Sequence, residues 1–224
     1  MTSQSEIEMT EKSDVSKTMA LFDKALVAAN KLVDARVDRL YERHPEATAD
    51  QLVKKLETTF LSSVTATGAA TGGAAAVPGV GTAAALAMTG GDVSWFMTAA
   101  SGHILSVLKI HGVGIRDLEH QKAIVLTVLV GGGGSTFAGK AAGRTGSHLG
   151  TLLAKNVPLS TIRSINRVLG VNFVTKFGTR QGILVLGRAA PFGIGAAIGA
   201  GGNLFFGQGV IKATRKAADV ARTL

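Results

Sequence analysis

Few residues of this chain stand in a pattern that could do chemistry. The sharpest is Gly134-Ser-Thr-Phe-Ala-Gly139-Lys140, a GxxxxGK spacing behind the apolar run VLTVLV. Such a loop cradles phosphates with successive backbone N–H groups and a lysine. Ala141 stands where a Ser or Thr would hold magnesium, and no acid occurs between Glu119 and Asp219 to support that metal. The chain also lacks the strand–helix alternation of an α/β nucleotide fold. The match is read as a decoy. The five histidines, His44, His103, His111, His120 and His148, form no HExxH and no helical metal pair, so they are read as structural. Asp117, Glu119 and His120 cluster where a helix should start, and capping with dipole complementarity accounts for the acids. Cysteine is absent, which removes disulfides and thiolate metal sites. No catalytic, cofactor-binding or metal residue is assigned, and the chain is expected not to be an enzyme.

A second group of residues is basic rather than catalytic. Arg163, Arg167, Lys176, Arg180 and Arg188 follow one another with no acid between them. Arg163 and Arg167 are four apart and share a helix face. Either they are solvated surface or they contact anionic lipid. Nucleic acid is the weaker partner, because neither aromatic interleaving nor a helix-turn-helix pattern accompanies them. The whole chain carries a net charge of +9, unevenly divided. Residues 1–120 hold 11 Lys/Arg and 14 Asp/Glu, whereas 121–224 hold 13 Lys/Arg and one acid, Asp219. A basic half of this kind seeks an anionic partner.

The elements that must carry these residues read as helices throughout. Residues 1–14 look like a polar tail. An amphipathic helix follows from about Val15 to Arg43, with Val15, Met19, Phe22, Leu26, Ala29, Val33, Val37 and Leu40 spaced close to a heptad seam. That seam either packs on its own domain or serves self-association through 15–43. Thr48 and Gln51 have capping-box spacing for a second helix. The N-terminal amphipathic region is placed at 15–59 and a Gly-rich helical domain at 60–224. From Thr58 to Gly91 no residue is charged. This stretch is read as two Ala/Gly helices joined at Val77-Pro78-Gly79, with a third beginning near Asp92 and ending at Gly112 and Gly114. Shorter helices are expected at about 135–155, from Ser160 to Leu169 and as a pair over roughly 171–189, then a final one after Pro191.

Glycine fills 29 of 224 positions. Each interior one costs a helix about 0.8–1.0 kcal/mol relative to Ala, so close backbone approach must offset the cost. Gly193, Ala197 and Gly201 lie four apart, as do Gly195 and Gly199, and Gly68, Gly72 and Ala76 repeat the pattern. Small residues at this spacing form the flat faces of closely packed membrane helices. A spanning helix needs about 20 mainly apolar residues, and no stretch meets this cleanly. Hairpins inserted partway fit better than simple crossings. The N-terminus shows no basic, then apolar, leader of the secretory kind.

Two stretches carry a family resemblance. HGVGIRDLEHQKAIVLTVLVGG at 111–132 and RAAPFGIGAAIGAGGN at 188–203 resemble the two signature regions of the bacterial EcsC family, and SINRVLGVNFVTKFGTRQGILVLG between them is similar to its actinobacterial members. The resemblance covers about 60–224. It implies a predominantly helical, membrane-associated protein with no established enzymatic activity and no cofactor. Some members are encoded beside a transporter, so an accessory role in a transport or envelope system is implied. Pro191, Gly193, Gly195, Gly199 and Asn203 match the C-terminal motif and are read as architectural. The expectation is an all-α bundle of Gly/Ala-rich helices and hairpins, on the cytoplasmic side of the cell membrane and against anionic lipid. The alternatives are a soluble cytoplasmic helical interaction protein, or a hydrolase whose site the sequence does not reveal.

Overall fold

The computed structural model describes residues 2–75, 82–115, 117–131, 157–188 and 194–222. These residues form α1 (Thr2–Arg43), α2 (Ala49–Ala75), α3 (Thr82–Ile110), α4 (Leu118–Gly131), α5 (Leu159–Arg188) and α6 (Ile194–Arg222), with no strand among them. The protein is an all-α bundle. Its helix ends follow local chemistry. At α2, the Thr48 N–H donates to Gln51 Oε1 (2.9 Å) and the Gln51 N–H donates to Thr48 Oγ1 (3.3 Å), a reciprocal capping box. At the end of α3, Gly112 turns left-handed (φ 80°), the Gly112 N–H donates to the Lys109 carbonyl and the Val113 N–H to that of Leu108. That pair of bonds is a Schellman stop, and only glycine takes its φ without strain.

Three helix boundaries differ from those expected. α1 is helical from Thr2, so the residues read as a polar tail belong to it. Asp92 does not open a helix; it lies within α3, buried, and the turn containing Gly90 and Gly91 is continuous. α5 is one helix through Gly170, where a break was expected. A Cβ on Gly170 would sit 3.2 Å from Met19 Sδ, so this glycine serves the approach of α1 rather than a stop. At Gly170 that packing outweighs a helix-propensity cost of about 1 kcal/mol. The helix expected at 135–155 lies outside the described residues.

α3 is the centre of the bundle: every residue from Ser101 to Leu108 is buried. On one side lies the seam of α1, with Phe22, Leu26, Ala29, Val33 and Val37 buried and Met19 and Leu40 partly so. The heptad-like spacing is thus consumed within the chain. On the other side α2 and α6 run antiparallel, paired at Asp50 with Arg222, Glu57 with Arg215, Val64 with Asn203 and Gly68 beside Gly199. The stretch Gly91–Ile110 is long and apolar enough to cross a membrane by length and composition, with a mean hydropathy of 1.2, and 67% of it is buried in the bundle.

The α2–α6 approach leaves no room for a methyl group. A Cβ on Gly68 would collide with the Gly199 carbonyl oxygen and lie 2.7 Å from Asn203 Nδ2, while one on Gly91 would meet nothing within 4 Å. Gly68→Ala should therefore destabilise by about 1–3 kcal/mol through overpacking. Gly91→Ala, at an exposed helix position, should stabilise by up to about 1 kcal/mol. Denaturant titration of both variants checks the pair; equal midpoints would contradict the packing.

Candidate functional site

Polar side chains gather where α2 begins and α3 and α6 end. There Asp50, Lys54, Glu57, His111, Arg215, Asp219 and Arg222 line a cleft of about 320 Å³, floored by Val53, Val107 and Ala218. The antiparallel register of α2 and α6 builds it, because residues 158 and 172 apart in sequence meet as pairs. Arg215 Nε donates to Glu57 Oε1 and its Nη2 to Oε2, both at 2.6 Å. This is a bidentate fork, which fixes orientation as well as charge. The Glu57 side chain is 8% exposed and that of Arg215 is 62% exposed, so the cation reaches in from the surface to a buried carboxylate. That hydrogen bond and the nearby charge raise the Arg215 pKa further. Arg222 donates to Asp50 at 2.7 Å, lies 3.6 Å from Asp219 and stands 3.3 Å from both ring nitrogens of His111. Burial, then the Arg222 cation, lowers the His111 pKa. The cleft is thus a set of matched charges that closes the charged end of the bundle. Among the described residues its lining holds no Ser, Thr or Cys side chain.

Two polar groups lie deeper. His103 on α3 is 1% exposed and its ring stacks on Phe60 at 4.8 Å and 11°. Burial, with the Arg36 and Arg215 cations behind it, lowers its pKa to about 3, and neither ring nitrogen has a hydrogen-bond partner among the described residues. A neutral imidazole here serves as a flat packing surface. Farther along α3 is Asp92, 4% exposed, which accepts from Asn203 Nδ2 at 3.1 and 3.3 Å. The same Nδ2 donates to the Val64 carbonyl at 2.8 Å, so Asn203 ties α6 to α2 and α3 at one point.

The other residues singled out by sequence are placed as follows. Gly199 is buried against Gly68, and Gly195 is helical in α6. Pro191, Gly193 and the Gly134–Lys140 loop lie outside the described residues. Asp117 and His120 meet at 2.8 Å, and Asp117 Oδ1 accepts from the Glu119 N–H at 3.1 Å, which caps α4. That hydrogen bond from His120 lowers the Asp117 pKa. Arg163 and Arg167 are exposed on α5, and among the described residues no carboxylate pairs with either. Behind them Asn166 turns inward and donates to the Glu119 carboxylate at 2.7 Å. The side chains of Lys176, Arg180 and Arg188 lie outside those described.

Sequence reasoning missed the Glu57–Arg215 fork and the burial of His103, since neither leaves a local signal. Asp92 did leave one: it is the only charge between Glu57 and Lys109. Among the described residues no three His, Cys, Asp or Glu side chains stand close enough to hold a metal ion. The geometry defines an ion-paired helical bundle. No family model, curated protein or solved structure matches the chain.

The depressed His103 pKa has a signed consequence. The unfolded chain takes up a proton near the ordinary pKa of about 6.5, whereas the folded one resists until about 3. Below about 6.5 the unfolded state binds more protons, so stability falls as pH drops, by up to about 1.4 kcal/mol per unit. His103→Leu should remove this slope. Denaturation at pH 7 and pH 4.5 should show the parent losing about 2–3 kcal/mol more than the variant.

Proposed function

We propose that this chain is a non-catalytic, membrane-associated helical protein, held at an anionic lipid surface by the outward face of α5. One observation carries the reading. Arg163 and Arg167 stand unpaired by any described carboxylate beside Val168 (59% exposed) and Val171 (50% exposed). Cations flanked by exposed aliphatic side chains suit a headgroup boundary, where the charge meets phosphate and the apolar part meets acyl chain. The charge balance of residues 121–224 supports the same partner. The resemblance to the EcsC family adds an accessory role in a transport or envelope system, on the cytoplasmic side of the cell membrane. Attachment fits better than a crossing, because Gly91–Ile110 is mostly enclosed by its own bundle.

That same enclosure favours a second reading, a soluble cytoplasmic interaction protein. Cell fractionation separates the two. Attachment predicts sedimentation with membranes and release by high salt or carbonate, and recovery wholly in the untreated soluble fraction sinks it. Arginine at an anionic surface contributes about 1 kcal/mol. The double variant Arg163→Gln/Arg167→Gln should therefore bind vesicles of phosphatidylglycerol and phosphatidylcholine up to about 30-fold more weakly at low salt, with the gap closing as salt rises. Unchanged binding would make these residues ordinary surface.

A further inference from the structure

The outward face of α5 carries more than two arginines. Ser160, Arg163, Ser164 and Arg167 are all exposed, while Ile162, Asn166, Gly170 and Phe173 turn into the bundle. Their spacing of three, one and three residues places the exposed four within about 100° of the helix circumference. Arg163 and Arg167 stand about 6 Å apart along the axis, with Ser164 between them and Ser160 about one turn before Arg163. Two guanidiniums and two hydroxyls thus share one strip of a single helix.

These donors are not spent within the protein. Among the described residues no carboxylate pairs with Arg163 or Arg167. Glu119, which reaches α5 from the start of α4, is held on the inner side by Asn166 at 2.7 Å. Neither serine hydroxyl is hydrogen-bonded among the described residues. By contrast, Thr127 on α4 and Thr214 on α6 return theirs to the Ala123 and Val210 carbonyls. Two cations on successive turns of one helix also repel each other, and an anion seated between them removes that repulsion.

The donor set fits one kind of anion best. An arginine fork grips two phosphate oxygens through parallel hydrogen bonds. Two forks and a serine hydroxyl direct about five donors at one phosphorus centre, which suits the three terminal oxygens of a monoester better than the two of a diester. A phosphomonoester also carries about −1.5 to −2 at pH 7, close to the charge of the two arginines, whereas a diester carries a single charge. We infer that Ser160, Arg163, Ser164 and Arg167 form a binding site for a phosphomonoester, supplied at the membrane by a headgroup of the phosphatidic acid type. The exposed Val168 and Val171 beside the strip then face the lipid's glycerol and first methylenes. The inference rests on the membrane reading above and adds which headgroup this face selects.

The experiment mixes the full chain with phosphatidylcholine vesicles containing either phosphatidic acid or phosphatidylglycerol, adjusted to equal zeta potential. Binding to phosphatidic acid should be about tenfold tighter, the difference that one further charge-assisted contact makes. Ser160→Ala/Ser164→Ala, at exposed positions and with unchanged circular dichroism, should reduce that ratio. Arg163→Lys/Arg167→Lys keeps the charge and removes the forks, and should reduce it too. Glycerol 3-phosphate, but not glycerol, should release the chain from phosphatidic acid vesicles. Equal affinity for the two vesicle types overturns the site and leaves the membrane reading standing, as does a preference that both variants keep. Calorimetric binding of glycerol 3-phosphate, lost in the lysine variant and with neither vesicle bound, upholds the site with a soluble source and overturns the membrane reading. Binding to neither the vesicles nor glycerol 3-phosphate overturns both.

Discussion

The close approach of α2 and α6 governs this structure, and Asn203 is the residue on which it turns. One amide nitrogen donates to the Val64 carbonyl on α2 and to the Asp92 carboxylate on α3, which joins three helices at a buried point. A donor to a charged acceptor is worth roughly twice a neutral one, and leaving the acceptor buried and unpaired costs several kcal/mol. The bond is reachable only because Gly68 and Gly199 let the backbones close. The glycines lose helix propensity locally and permit an interaction that propensity cannot supply.

The same antiparallel pairing, continued along both helices, produces the charged end. From the Val64–Asn203 contact Glu57 lies seven residues away on α2 and Arg215 twelve away on α6, a difference that the long arginine side chain spans, and Asp50 and Arg222 follow seven residues beyond on each helix. Glu57 is nearly as buried as Asp92, so both carboxylates would be costly alone, and each is met from α6. A slip of one residue would break all three contacts together. α3 lies in the groove of this pair, and α1 covers its far side with an apolar seam, tied at its end by Lys109 to Asp34 at 2.7 Å. That surface pair is weak by itself; the seam supplies the stabilisation.

Along α2 and α6 the charged residues gather at one end, at 50–57 and 212–222, whereas α1 carries charge along its whole length. The Arg163–Arg167 face of α5 is a separate feature, outside that pattern and bordered by valines.

Much of the helical content was legible from one sequence because periodicity and caps are local. The seam at Phe22, Leu26, Ala29, Val33 and Val37, the Thr48–Gln51 box and the stop at Gly112 each depend on residues within a few positions of one another. Glycine was harder to read. The sequence showed that so many helical glycines had to serve close approach, but not which of them end helices. Gly112 stops one at positive φ, whereas Gly170 continues its helix against Met19 of α1 and Gly91 continues its own at an exposed position beside the buried Asp92. The site residues divide in the same way. Asn203 and Gly199 stood out by motif, and Arg163 with Arg167 by spacing. The partners of Asn203, the fork on Glu57 and the stacking of His103 on Phe60 arise only when α2, α3 and α6 take one register. That register is set by contacts more than a hundred residues apart, about which local propensity carries no information.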